Sequence, residues 1–177
     1  EKLAKLPPAF KPPTGKVTAG NSSSINDQAS AMLLASREAA DEHGLKARAK
    51  IRSMAVIGVD PVIALTGPAH VSARALKRAG LTIKDMGVIE INEAFASVCI
   101  ATGMEWGIKF EDFMQDKRIN PCGGAIAIGH PLGCSGARLI TTMLNEMERR
   151  NAQYGLATLC VGMGQGIATI IEREKYN

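Results

Sequence analysis

Aromatic side chains are scarce in this chain: Phe, Tyr and Trp together make up 4% of its 177 residues. The core must therefore be built from Ala, Ile, Leu, Val and Met. Charge of one sign is also lacking. The formal balance is +4, and the basic residues are scattered over stretches such as Lys46-Ala-Arg-Ala-Lys50 and Arg149-Arg150. A nucleic-acid stripe is denser and usually interleaved with aromatics, so no nucleic-acid partner is expected. The four cysteines show neither CxxC spacing nor paired histidines at ligand spacing, which argues against a metal site. No apolar run reaches the length of a membrane span, so no membrane partner is expected. Free thiols without a signal peptide fit a reducing cytosol, hence a cytoplasmic setting. The chain opens at Glu1 without Met, and a true N-terminus further upstream is expected.

Glycine is what the chain has in plenty: 18 residues, gathered in turns rather than linkers. One turn reads Asn120-Pro-Cys-Gly-Gly-Ala-Ile-Ala-Ile-Gly-His-Pro-Leu-Gly-Cys-Ser-Gly136. Another reads Cys160-Val-Gly-Met-Gly-Gln-Gly166, and Ile91-Asn-Glu-Ala-Phe-Ala96 follows a short apolar run. Together they supply an imidazole, a thiol, a carboxamide and many exposed backbone N–H groups. Chemistry on a carbonyl beside an acidic carbon needs that set: a base, an acid, and donors aimed at a developing oxyanion.

The hydrophobic pattern predicts an alternation of strands and helices. Residues 1–16, with Pro7-Pro8 and Pro12-Pro13, read as an extended connector. A short strand is expected over 17–19 and a helix over 27–42, ending at Gly44. Then follow a strand over 51–59, a helix from Gly67-Pro68 to Gly80, and a strand over 88–91. The next helix runs from about Ala94 to Trp106, and 109–118 is a polar excursion of uncertain structure. A helix over 135–150 and strands over 154–159 and 167–171, joined as a hairpin, complete the order. The alternation predicts an α/β fold, a mixed sheet with helices on both faces.

Four stretches in order resemble the C-terminal half of the thiolase family, the 3-ketoacyl-CoA thiolases and acetyl-CoA acetyltransferases. They are Val17-Thr-Ala-Gly-Asn-Ser-Ser23, Asn92-Glu-Ala-Phe-Ala96, Gly123-Gly-Ala125 with Gly129-His-Pro-Leu-Gly133, and Cys160-Val-Gly162 with Gly164-Gln-Gly166. Each alone is weak; four in sequence are highly specific. The resemblance implies one half of a five-layer αβαβα fold, with residues 17–177 as the C-terminal domain and 1–16 leading from a missing N-terminal half. It implies acyl transfer to coenzyme A, by thiolytic cleavage of 3-ketoacyl-CoA or the reverse condensation, in fatty-acid metabolism. Acyl-CoA and coenzyme A are then substrates, no cofactor is bound, and the whole enzyme is a homodimer or tetramer. None of Cys99, Cys122, Cys134 or Cys160 occupies the family's nucleophile motif, so this chain alone is expected to be inactive.

Residue by residue, the resemblance makes His130 the base for the absent nucleophilic cysteine and a donor to the thioester oxygen. It makes Cys160 the acid/base at the α-carbon and gives the Gly162 N–H to an oxyanion hole. Asn92 would hold a water donating to the other hole. Ser23, Ala19, Ala94 and Phe95 would line the channel for the pantetheine arm. From the residues alone, His130 reads equally as a satisfied loop histidine, Cys160 as an inert strand thiol, Asn92 as an N-cap and Phe95 as core. Met163 stands where many members have Gly, and no chemical consequence is expected. Two other functions stay open: a non-catalytic fragment with a binding or assembly role, and a nucleotide-binding α/β domain. The second lacks a phosphate loop ending in Gly-Lys-Ser or Gly-Lys-Thr.

Overall fold

The computed structural model describes residues 1–174. Its centre is a four-stranded sheet in the order β1-β4-β3-β2, made of β1 (Ala49–Gly58), β2 (Met86–Ile91), β3 (Tyr154–Val161) and β4 (Gln165–Arg173). β2 and β3 run parallel, whereas β4 is antiparallel to both β1 and β3. The mixed α/β sheet that the alternation predicts is therefore present. Helices α1 (Arg37–Glu42), α2 (Gly67–Ala79), α3 (Ala96–Glu105), α4 (Phe110–Gln115), α5 (Ala125–Ile128) and α6 (Ser135–Arg150) surround it.

The two faces of the sheet carry two apolar layers. On one face α2 and α3 pack Val71, Ala75, Leu76 and Val98 against Ile89, Ile91, Leu156 and Ile170. On the other, α6 places Leu139, Met143 and Met147 over Val88, Ala157 and Ile171. The 3.6-residue spacing of those three residues, with Arg149 and Arg150 facing the negative end of the helix dipole, accounts for α6. Asn151, in the left-handed region at φ 56°, stops it. α2 begins with Pro68 in its first turn and ends at Gly80 (φ 70°), whose N–H bonds back to Leu76 and Lys77.

The hairpin between β3 and β4 is a three-residue turn, Gly162-Met163-Gly164. Met163 and Gly164 both have positive φ, 65° and 81°. Gly164 accepts that backbone and also touches the end of β1: its carbonyl takes the Val59 N–H at 2.6 Å. A Cβ at 164 would strike the Val59 carbonyl. Gly164→Ala is therefore expected to destabilise the chain by about 1–3 kcal/mol, from strain and clash together. A urea midpoint unchanged from wild type would contradict this.

Three segments depart from the sequence expectation. Residues 17–19 are not a strand. Thr18 accepts from the Gly20 N–H while Asn21 accepts from the Thr18 N–H, and this local capping winds Ala19–Asn21 into a 3-10 turn. The helix expected over 27–42 forms only as Arg37–Glu42, with Ser36 as its N-cap. Upstream, Ile25, Leu33 and Leu34 are 91%, 75% and 69% exposed. A helix there has no face to bury, and propensity alone does not repay nucleation. The polar excursion holds a short helix, Phe110–Gln115, anchored by buried Phe113.

β1 is an edge strand, and its other properties follow from that. Arg74 and Arg78 of α2 reach over it and donate to the carbonyls of Val56 (3.3 Å) and Met54 (2.6 Å). Charged side chains on an edge block pairing with another chain. On the α6 side of the sheet, Ile51, Met54 and Val56 lie exposed beyond the reach of α6. Replacing both arginines by Ala is expected to raise concentration-dependent self-association, read by sedimentation velocity. A double variant that sediments as wild type would show that these arginines do not guard the edge.

Candidate active site

His130 projects from a turn that fixes it at three points. Gly129, at φ 90°, ends α5, and the His130 N–H bonds to the Ser24 carbonyl at 2.8 Å. The imidazole Nδ1 lies 2.6 Å from Ser135 Oγ, and Nε2 lies 3.2 Å from Asn92 Nδ2. Ser135 Oγ also donates to the Pro131 carbonyl at 3.1 Å. Its proton being used there, Ser135 accepts from Nδ1–H. The Nε2 lone pair is then the basic site, accepting from the Asn92 amide. Burial lowers the imidazole pKa below its ordinary value, and the Arg138 cation lowers it further. A neutral imidazole with a defined tautomer is what a general base requires.

Asn92 is fully buried at the carboxyl end of β2. Its N–H continues the ladder to the Thr158 carbonyl of β3 at 3.0 Å. Its Oδ1 has no hydrogen-bond partner among the described residues. Next to it, Glu93 is tied down by the Asn120 side-chain amide (2.8 Å) and the Ile126 N–H (3.1 Å). The Asn120 carboxamide also pairs with both backbone groups of Ile91, at 2.7 and 2.9 Å. It extends the outer edge of β2 as a strand would.

The segment around Ser23 laces these loops together. Ser23 bonds to the Ala94 carbonyl through both its N–H and its hydroxyl, each at 3.1 Å. Ser22 forms an isolated bridge with Phe95, whose ring meets Phe10 edge-on at 6.5 Å. Ser23, Ala94, Phe95, Asn92 and His130 thus form one connected group. Ala19 does not join it by a hydrogen bond; it sits exposed on the preceding 3-10 turn. Gly162 is exposed at the tip of the β3–β4 hairpin.

Cys160 lies near the carboxyl end of β3, half-buried against the α2–α3 layer. Desolvation raises its thiol pKa, so it stays protonated at neutral pH. That is the state in which a thiol serves as an acid. Cys99, deeper in the same layer, is pushed up to about 12 by burial, with smaller contributions from Glu93 and Cys160. Cys122 is exposed and Cys134 buried. Iodoacetamide is expected to modify Cys122 first and Cys160 second, with Cys99 and Cys134 reacting only on unfolding. Peptide mass mapping over a time course checks the order; modification of Cys160 before Cys122 would contradict it.

Sequence reasoning missed Ser135, Ser24 and Asn120. Ser135 was legible only as the first residue of a helix, yet it sets the imidazole tautomer. Among the described residues no cluster of three or more His, Cys, Asp or Glu is arranged to hold a metal ion. No described helix is long and apolar enough to cross a membrane.

A rim of loops at the carboxyl ends of two parallel strands of an α/β sheet thus carries a held imidazole and a protonated thiol, groups able to accept and to donate a proton. The family model for the thiolase C-terminal domain matches residues 45–173, and that for the thiolase N-terminal domain matches residues 1–38. This chain belongs to the thiolase family. It is 57% identical over 173 residues to a 3-ketoacyl-CoA thiolase of Erwinia tasmaniensis, covering 98% of this chain and 44% of that protein. A 3-ketoacyl-CoA thiolase of Photorhabdus laumondii is 59% identical over 171 residues, covering 97% of this chain and 43% of the relative. Among solved structures, the Bacillus anthracis acetyl-CoA acetyltransferase superposes with a TM-score of 0.90 at 40% identity, across 98% of this chain and 42% of that one. Human mitochondrial 3-ketoacyl-CoA thiolase in complex with CoA gives 0.87 at 39% identity, over the same shares. The chain therefore spans less than half the length of these relatives.

Proposed function

We propose that this chain is the C-terminal part of a 3-ketoacyl-CoA thiolase, an acyltransferase that cleaves 3-ketoacyl-CoA with coenzyme A in fatty-acid oxidation. The observation that carries the reading is the held imidazole: Nδ1–H donates to Ser135, and the unprotonated Nε2, the basic site, accepts from the Asn92 amide. The nucleophilic cysteine would come from an N-terminal half, as the 44% coverage of the relatives suggests. The exposed Ile51, Met54 and Val56 offer such a half an apolar face to cover. On this reading residues 1–16 are a connector and the C-terminal domain follows, although the family models change over between residues 38 and 45. A cytoplasmic, homo-oligomeric enzyme with no bound cofactor completes it, four free thiols being at home in a reducing compartment.

The chemistry assigns each group one task. His130 Nε2 takes the proton of the nucleophilic thiol, and the thiolate attacks the 3-keto carbon. The bond between C2 and C3 then breaks, leaving an acyl-enzyme thioester and the enolate of acetyl-CoA. Cys160 gives its proton to the enolate carbon. Its thiolate takes back a proton from the incoming coenzyme A thiol, whose sulfur attacks the thioester; the shortened acyl-CoA departs, and the nucleophilic cysteine leaves as a thiolate that recovers its proton from His130. The Gly162 N–H would donate to one developing oxyanion, and the Asn92 amide would hold a water that donates to the other. Ser23, Ala94, Phe95 and Ala19 would line the channel for the pantetheine arm.

The test is turnover of acetoacetyl-CoA. The 177-residue chain alone should be inert, and coexpression with an N-terminal half bearing the cysteine should restore cleavage. In the restored enzyme, Cys160→Ala should lower carbon–carbon cleavage by about a hundred- to ten-thousand-fold, the range of a lost general acid. Alkylation of the nucleophile should stay near its wild-type rate, whereas His130→Ala should slow that alkylation. Turnover by the chain alone, or a restored enzyme indifferent to both substitutions, would overturn the reading and favour a binding or assembly role.

A further inference from the structure

A second polar rung lies beneath the one that holds His130. Val88, Glu90 and Asn92 alternate along β2 toward the α6 side, where Val88 packs under α6. Glu90 is fully buried, and its Oε2 lies 3.4 Å from Nη1 of Arg138 on α6. Arg138 is itself only 12% exposed in its side chain. One helical turn earlier on α6 is Ser135, and one alternation later on β2 is Asn92. The same strand and the same helix thus make two crossings: Glu90 to Arg138, and Asn92 to Ser135 through the imidazole of His130. An ion pair taken out of water contributes little net stability, and its best-attested use is to specify register.

We propose that the Glu90–Arg138 pair is a positioning device for His130. It holds the first turn of α6 in register with β2, so that Ser135 meets Nδ1 while Asn92 meets Nε2. The assignment rests on the thiolase reading for its purpose but not for its test. If α6 slides or rotates by a fraction of a turn, Ser135 leaves Nδ1 and the imidazole loses its single tautomer. Both groups carry further neighbours. Glu90 feels Arg138 and Glu146 from α6 and Glu93 from the loop after β2. The thiol of Cys122, in the glycine-rich segment, senses Glu90 and Glu146 in turn. His130 feels Arg138. Burial raises the Glu90 pKa to about 7, so the pair is charged on both sides only above that pH.

The readout is the tautomer ratio of His130 in the 177-residue chain, followed by nitrogen-15 NMR of the imidazole across pH 6.5 to 8.5. Burial and the Arg138 cation lower the His130 pKa, which favours the neutral ring over this range, and the imidazolium has its own nitrogen shifts, so the ratio is read between the two neutral forms alone. In wild type the Nδ1–H form should dominate above about pH 7. As the pH falls through 7 and Glu90 gains its proton, the Nε2–H form should rise by about three- to tenfold, the factor for one weakened hydrogen bond. Glu90→Gln should abolish that step and lock the low-pH ratio. Arg138→Met should do the same, and Arg138→Lys should restore part of the step. Circular dichroism accompanies each variant; if Arg138→Met does not fold, Glu90→Gln decides alone. A flat wild-type ratio through pH 7, or a step that survives in Glu90→Gln, would overturn the proposal. No substrate enters this test, so its failure leaves the acyl-transfer reading to the turnover assay, and failure of that assay leaves the register device intact.

Discussion

Parallel pairing of β2 with β3 forces the chain between them to cross over the sheet, and it sets both carboxyl ends at one rim. Asn92 leaves β2 there, Cys160 leaves β3 there, and the crossover itself contains α3, α4, the glycine-rich turn and α6. His130 therefore lies on the connection that the pairing makes necessary. The antiparallel hairpin to β4 brings Gly162 back to the same rim. Were β2 and β3 antiparallel, the carboxyl end of one would lie at the opposite rim, and the carboxamide and the thiol would be separated by the length of the sheet. The buried N–H of Asn92 bonding to Thr158 is the last rung of that pairing and the first element of the site.

Two desolvated groups pull on the pH response in opposite directions. Glu90 has a folded pKa raised from 4.5 to about 7, so it favours the folded state below its unfolded value and loses that contribution as the pH rises to 7. His130 has a folded pKa lowered from 6.5, so it favours the folded state above that value and loses the contribution as the pH falls. Burial is the largest cause of both shifts. A site that keeps a neutral base inside a half-buried rim carries such opposed terms as a consequence of geometry, whatever its catalytic use.

Much of this was legible in the residues. The spacing of Ile140, Met143, Leu144 and Met147 marks the helix over 135–150, which forms as Ser135–Arg150, and the Gly162–Gly166 run marks the hairpin. Four short stretches in order point to the family whose models match the chain. His130 and Asn92 were legible as candidates, and the fold brings them to 3.2 Å. What was not legible depends on contacts far apart in sequence. Ser135 looks like any residue opening a helix until the Pro131 carbonyl takes its proton. Asn120 looks like a turn residue until its carboxamide pairs with Ile91. The helix expected over 27–42 follows correctly from Ala, Met and Leu content, but composition does not say whether a face will be covered.

The irregular stretch from Ser22 to Gln28 is then informative in its own right. A helix beginning at Asp27 would satisfy its own backbone and leave the neighbouring loops to fend for themselves. Instead Ser23 bonds to Ala94, the Ser24 carbonyl takes the His130 N–H, and the Gln28 amide donates to the Ile128 carbonyl at 3.1 Å. A helix with no face to bury returns little, so these contacts to other loops decide the path of the segment. The same irregular run therefore bonds to three loops at once: the one after β2, the one before His130, and the end of α5. It explains why a chain with so little aromatic bulk can still hold an imidazole in place. The rim is stitched by main-chain hydrogen bonds, which need close approach and short side chains, and glycine, serine and alanine are the residues that permit both.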